Sequence, residues 1–199
     1  MARRAASLLG MALFFFAPNA PADVGAPDPY LQAIHDDALP LRRGFTLELG
    51  LGGALTYVAR ERADGQTGLG PTTLSVGVGW FVTPKVALLA RTSGTTYFDT
   101  TSSGDLSQIW NALYGAHLQY WANDTISLSA GPALAVVFEN PFLSTEAKPL
   151  VGFGGSSRIG FSLFSAKHHV VRLSWEVFDS KVTRAFVFGS ALAVEWQYF

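Results

Sequence analysis

Two sets of residues in this sequence have the chemistry to form a functional site. The first set is a histidine and a serine, His117 and Ser129, which lie on either side of the turn sequence Asn123-Asp124. If the chain reverses at Asn123 into two antiparallel strands, His117 faces Ser129. A serine hydroxyl beside an imidazole base is the arrangement that acyl transfer uses. The alternative is a structural histidine that is simply hydrogen-bonded, since no acidic residue is obviously placed to orient the imidazole.

The second set is made of charged residues within segments that otherwise carry little charge. Each lies in the same alternating set as glycine, serine and alanine. These charges therefore lie on the sparse face of their segments, which is the face that carries mostly small side chains. Because a buried charge needs a partner, the pattern predicts a single ion-pair network. The network is either a structural plug or a gate that opens by exchange of partners. Its members are Glu48, Arg91, Arg158, Arg172, Glu176 and Glu195.

The composition excludes several other chemistries. The chain has no cysteine, which excludes disulfides, thiolate metal sites and a cysteine nucleophile. The sequence has no metal-ligand spacing, phosphate-binding loop or nucleotide fingerprint, so we expect no metal and no cofactor. The formal net charge is −1, and the absence of a basic tract argues against a nucleic-acid partner.

The elements that must position these residues are extended strands. In the last fifteen residues, bulky side chains such as Phe186, Trp196 and Tyr198 alternate with small ones such as Gly189. A period of two is typical of a β-strand. Similar alternation predicts eight strands, each long enough for the about 9–11 tilted residues of a bilayer crossing. Their ranges are 44–59, 72–82, 86–98, 106–121, 125–138, 150–163, 169–178 and 185–199.

Three features of this strand pattern are irregular. Residues 60–71 are rich in glycine and charge, which predicts a loop. Pro132 lacks the N–H that a strand with two neighbours needs, so we expect a bulge or a broken ladder there. The third strand carries Ala87 and Leu89 in its sparse set, against the pattern of the other strands.

The two faces of the predicted strands indicate which one meets lipid. Within the strands the bulky faces carry no charge, and an arginine or lysine facing lipid at mid-depth costs about 2–4 kcal/mol. Charged residues make up only 15% of the chain, against about 25% in soluble domains, so the sparse face is a poor soluble exterior. Closure into a barrel pairs every backbone group, as hydrocarbon demands. The predicted fold is therefore all-β, a closed eight-stranded antiparallel up-and-down transmembrane β-barrel, with aromatic girdles at both ends.

The carboxy-terminal residues and the connections resemble a known family. Trp196-x-Tyr198 followed by Phe199 is similar to the closing strand of bacterial outer-membrane barrels, and shorter turns alternate with mostly longer loops as in that family. The resemblance covers residues 44–199 and is to small barrels of the OmpA transmembrane domain, OmpX and OmpW type. It implies outer-membrane lipid around the barrel. It also implies assembly machinery that reads the last strand as a signal.

The residues before the barrel predict export. Residues 1–22 have the parts of a signal peptide, with Arg3 and Arg4, an apolar stretch over 7–17 and small residues before a cut after Ala22. Residues 23–43 are interpreted as a loosely ordered extension, and residues 44–199 as the barrel. We therefore expect the outer membrane of a Gram-negative-type envelope.

Three functions are consistent with this interpretation. The first is a non-enzymatic integral protein with a filled lumen, which serves envelope structure or surface interaction. The second is porin-like transport of small or hydrophobic solutes, with a lateral exit near Pro132 or the irregular third strand. The third is a lipid-modifying enzyme that uses His117 and Ser129, because the resembling barrels include lipid A deacylases and palmitoyltransferases.

Overall fold

The computed structural model describes residues 42–60, 63–100, 106–139, 149–183 and 185–199. The predicted signal peptide and residues 23–41 of the predicted extension lie outside the described residues. In the described part of the chain, no helix is long and apolar enough to cross a membrane.

The described chain consists of antiparallel strands joined in sequence order. Strand β1 pairs with both β2 and β3, each later strand pairs with the next, and β9 returns to pair with β1. This last pairing closes the sheet into a barrel. The strands are β1 (Gly44–Arg60), β2 (Ala63–Pro71), β3 (Ser75–Thr83), β4 (Val86–Thr100), β5 (Leu106–Trp121), β6 (Ile126–Glu139), β7 (Leu150–Ala166), β8 (His169–Val182) and β9 (Ala185–Tyr198).

The nine strands fill eight positions around the barrel, because β2 and β3 share one. Strand β3 pairs with the first half of β1 and β2 pairs with its second half. Between them, the N–H of Thr72 donates to the Gly52 carbonyl at 2.9 Å and the N–H of Thr73 donates to the Gly94 carbonyl at 2.8 Å. The closed eight-stranded fold is confirmed. The prediction that residues 60–71 form a loop is wrong, because residues 63–71 pair with β1 as a strand.

The two faces of the barrel have the predicted orientation. The outward side chains of Leu51, Trp80 and Trp175 are 59%, 58% and 51% exposed, whereas Glu48 and Arg172 are buried inside. Exposed aromatic side chains also lie near both ends, as the predicted girdles require: Phe45, Trp80, Tyr120, Phe161 and Tyr198 at the end with the short turns, and Tyr57, Phe98 and Phe186 at the opposite end.

Apolar side chains close the interior near both ends. The turn-end cluster lies at the end of the short turns and contains Phe81, Ala87, Leu89, Trp121, Val170 and Phe199. The inward direction of Ala87 and Leu89 explains the irregular pattern of β4. The loop-end cluster lies towards the opposite end and includes Val58, Tyr97, Ile109, Leu113, Val137, Phe178, Val182 and Val187. The sequence pattern predicts an interior of small and polar residues, and both clusters depart from that prediction.

Arg42 lies just before β1 and covers the turn-end cluster. Its guanidinium carbon is 3.8 Å from the centroid of the Trp121 ring, which is a cation–π contact. Its Nη2 lies 3.1 Å from a carboxylate oxygen of Asp124. Burial lowers the pKa of the Arg42 guanidinium, and the Asp124 carboxylate opposes that shift. The end of the barrel near the short turns is therefore filled by packed rings and capped by an arginine.

A charge placed on the outward face tests its contact with lipid. Leu51 lies near the middle of β1 and points outward. We expect Leu51→Arg to lower the free energy of unfolding in lipid vesicles by about 2–4 kcal/mol, measured by urea titration. Thr83→Arg, at the exposed end of β3, is the matched control and should change it by no more than about 0.5 kcal/mol. Equal effects of the two substitutions would contradict a lipid-facing surface.

Candidate functional site

The six charged residues singled out in the sequence lie together between the two apolar clusters. They come from five strands: Glu48 from β1, Arg91 from β4, Arg158 from β7, Arg172 and Glu176 from β8, and Glu195 from β9. All six are buried. They converge because each belongs to the inward set of its strand and the barrel is narrow enough for opposite walls to touch.

Glycine makes room for these long side chains on the neighbouring strands. Gly50 lies opposite Glu195, and Gly77 lies between Glu48 and Arg91. A Cβ on Gly50 would sit 2.8 Å from Cγ of Glu195, and one on Gly77 would sit 3.0 Å from Oε2 of Glu48. The glycines of the inward face therefore provide space for the charges.

Arg172 and Glu195 form the core of the network. Nε of Arg172 is 2.7 Å from Oε2 of Glu195, and its Nη2 is 2.6 Å from Oε1 of Glu48. The register places Arg172 directly opposite Glu195 on the adjacent strand. Arg172 therefore joins two carboxylates that lie on different strands.

The other two arginines extend the network across the lumen. Arg158 contacts Glu195 and Glu48, and its Nη2 lies 3.2 Å from Oε2 of Glu176. Nη2 of Arg91 lies 3.2 Å from Oε2 of Glu176 and also 3.2 Å from Oε1 of Glu195. Three arginines thus face three glutamates, and the formal charge of the network is zero.

Neutral polar side chains that the sequence analysis did not single out complete the hydrogen bonding. Gln119 donates to Glu48 at 2.7 Å, and Gln197 accepts from Arg172 at 2.7 Å. Ser75 accepts from Nη2 of Arg91 at 2.8 Å, and Ser93 donates to Glu176 at 3.2 Å. The alternating pattern of the sequence already places these glutamines inside, because Gln119 belongs to the same inward set as His117 and Gln197 to the same set as Glu195. A search restricted to charged residues misses them.

His117 and Ser129 do not face each other. In the observed register Ser129 lies opposite Gln119 on one side and Arg158 on the other. The predicted register is wrong because the turn is longer than assumed, since the side-chain oxygen of Asn123 accepts hydrogen bonds from the N–H groups of Thr125 and Ile126. Both side chains are buried on the inward face. Among the described residues no acidic side chain is hydrogen-bonded to His117, and its Nδ1 has no hydrogen-bond partner.

The ladder beside His117 is interrupted at Pro132. Pairing between β5 and β6 stops after Gly115 and Ala133 and resumes at Leu118 and Ala130 without a change of register. On its other side Pro132 pairs with Gly155. The interruption is the expected result of a missing N–H, and it occurs without a bulge.

The site as a whole joins strands from all sides of the barrel. Layers of apolar rings, ion pairs and apolar side chains succeed one another along the lumen. Within the described residues no group of three or more His, Asp or Glu is arranged to hold a metal ion. The arrangement can cross-link the wall and block the lumen.

Comparison with known proteins identifies the fold. No family model matches the chain, and no curated protein matches its sequence. Among solved structures, it is similar to Neisserial surface protein A, with a TM-score of 0.56, 12% identity and coverage of 78% of this chain and 96% of that chain. It is also similar to Ail, the attachment invasion locus protein of Yersinia pestis, with a TM-score of 0.54, 14% identity and coverage of 78% and 99%. The chain has the fold of small outer-membrane β-barrels.

Removing a single arginine tests the network as a cross-link. We expect Arg172→Ala to lower the free energy of unfolding by about 3–5 kcal/mol, because it leaves Glu48 and Glu195 buried with fewer partners. Thermal or urea unfolding in micelles measures the change. Adding Glu48→Gln to Arg172→Ala should recover part of the loss, since one unpaired charge disappears. Lys85→Ala, in an exposed turn, is the control, and a loss no greater than that of this control would rule out the cross-linking role.

Proposed function

We propose that the chain is an integral outer-membrane protein with a filled lumen and no enzymatic activity. Its role is to support the envelope or to present its loop end to the surroundings as an interaction surface. One observation carries the proposal: the barrel exposes its apolar side chains and buries its ion pairs. Such a surface is stable in hydrocarbon and unsuited to water.

The similar solved structures support a role at the cell surface. One is named a surface protein and the other an attachment and invasion protein. A further structure of the attachment protein contains the heparin analogue sucrose octasulfate, and its TM-score to this chain is 0.53 at 13% identity. We infer that the loop end of this barrel interacts with an extracellular partner.

The last strand supports a proposal for assembly. Tyr198 faces outward on β9 and Phe199 packs inward against Phe81, with ring centroids 5.9 Å apart. We propose that the barrel-assembly machinery of the outer membrane recognises the outward aromatic residues of this strand. Phe199 then serves mainly to seal the turn end.

Transport is the second candidate function. The break between β2 and β3 interrupts the wall at Thr72 and Thr73, which is the observation that favours a lateral exit. Against transport, two apolar clusters and a paired network fill the lumen. Acyl chemistry has less support, because Ser129 and His117 occupy different register positions.

Fractionation of cells tests the proposed location. When the full chain is expressed in a Gram-negative host, we expect it in the outer-membrane fraction. It should resist extraction by alkaline carbonate or urea and dissolve in detergent, because its outward face is apolar. Recovery in the soluble periplasmic fraction would contradict the proposal. An exported soluble protein from the same cells is the control for lysis.

Conductance of planar bilayers separates the two candidate functions. We expect the purified protein to give no steady current, because packed side chains block the lumen on both sides of the network. Steps of uniform size that Arg172→Ala alters and Lys85→Ala leaves unchanged would favour transport over a filled barrel. Matched protein-free detergent additions control for leakage.

A further inference from the structure

A small cavity with both polar and apolar lining lies inside the barrel between the ion-pair network and the loop-end cluster. Its volume is about 20 Å³. Its polar lining comes from three parts of the chain: the break between β2 and β3, the inward face of β4 and β5, and the network itself. Its polar lining residues include Thr72, Ser75, Arg91, Ser93, Asn111 and Glu176.

Several polar atoms of this lining have no partner in the protein. Both amide atoms of Asn111 lack a hydrogen bond among the described residues, and so do Nη1 of Arg91 and Oγ1 of Thr72. Asn111 is 1% exposed and Arg91 is 3% exposed, so bulk solvent does not reach them from the barrel ends. Buried polar groups are almost always satisfied by protein or by ordered water. Unsatisfied atoms from three residues around one cavity therefore indicate a ligand.

The size and chemistry of the cavity identify the class of ligand. A site of this volume holds about one or two water molecules. Asn111 offers both a donor and an acceptor, as water requires, whereas an anion would use only the donors. The adjacent network has three arginines and three glutamates and carries no excess charge that would attract an ion.

The cavity lies beside the break between β2 and β3. Thr72 and Thr73 line the cavity and are partly exposed. Their N–H groups bond to Gly52 and Gly94 on the two flanking strands, and Thr72 also forms an isolated bridge with Thr95. These contacts take the place of regular strand pairing between the end of β2 and the start of β3. The remaining lining belongs to continuous strands.

We propose that this cavity is a binding site for about one or two water molecules, which bridge Asn111 to Arg91. The ion-pair network is then hydrated from the side of Arg91 and dry on the side of the turn-end cluster. Asn111 is the residue that determines the site, since among the described residues of the lining it alone has two unpartnered buried atoms. This inference is independent of the role of the barrel in the cell.

High-resolution crystal structures of the full barrel test the proposal directly. For the wild type we expect density for one or two waters within about 3.2 Å of the Asn111 amide and of Nη1 of Arg91. In Asn111→Leu this density should disappear. In Gln119→Leu, which removes a lumen amide that is already bonded to Glu48, it should remain.

Two further soaks keep the test decisive if a variant fails to fold. Xenon fills cavities that are dry and apolar, so a xenon atom in the wild-type cavity would overturn the proposal. Anomalous density for bromide at Arg91 would also overturn it, because the site would then select an anion. Absence of both, together with ordered water, supports a neutral hydrogen-bonding site.

Discussion

The pairing of β1 with β9 is the interaction on which the rest of the structure depends. It runs from Leu47 opposite Tyr198 to Arg60 opposite Ala185. In hydrocarbon, an open edge would leave N–H and C=O groups without partners, at a cost that side-chain packing does not offset. Closure also fixes the diameter, and the diameter decides which side chains meet. Arg158 of β7 reaches carboxylates of both β1 and β9 only because the ring is small.

Much of this arrangement could be predicted from the sequence because the strand period couples two properties. Alternation assigns residues to strands, and it also assigns each residue to one of two faces. Once Glu48 and Arg158 share a face with glycine, and Leu51 and Trp175 lie on the other, the orientation follows from the cost of exposing charge to lipid. The participants of the network follow from the same reasoning, without any knowledge of distances.

The register of β5 with β6 and the separate strand at residues 63–71 could not be predicted in the same way. The pairing of β5 with β6 depends on one turn, where the Asn123 side chain binds two backbone N–H groups and lengthens the reversal. A shift of two residues between paired strands leaves the alternation of faces unchanged. The sequence therefore predicts the face of His117 correctly and its partner on β6 wrongly. Residues 63–71 have the glycine content of a loop, yet they pair with β1 as a strand. Gly68 and Gly70 of this strand lie where a Cβ would collide with β4. Composition alone does not distinguish these two outcomes.

The mixed lumen suggests why ion pairs occur where apolar packing is also possible. The turn-end and loop-end clusters demonstrate that this barrel packs apolar side chains inside, and buried ion pairs often stabilise no better than apolar replacements. A barrel apolar on both faces, however, would not specify which face meets lipid, since a slip of one residue exchanges the faces. Each inward arginine would cost about 2–4 kcal/mol if it faced lipid instead. The network therefore disfavours the inverted arrangement. Because it lies midway along the lumen, its arginines would face lipid at the depth where a charge costs most.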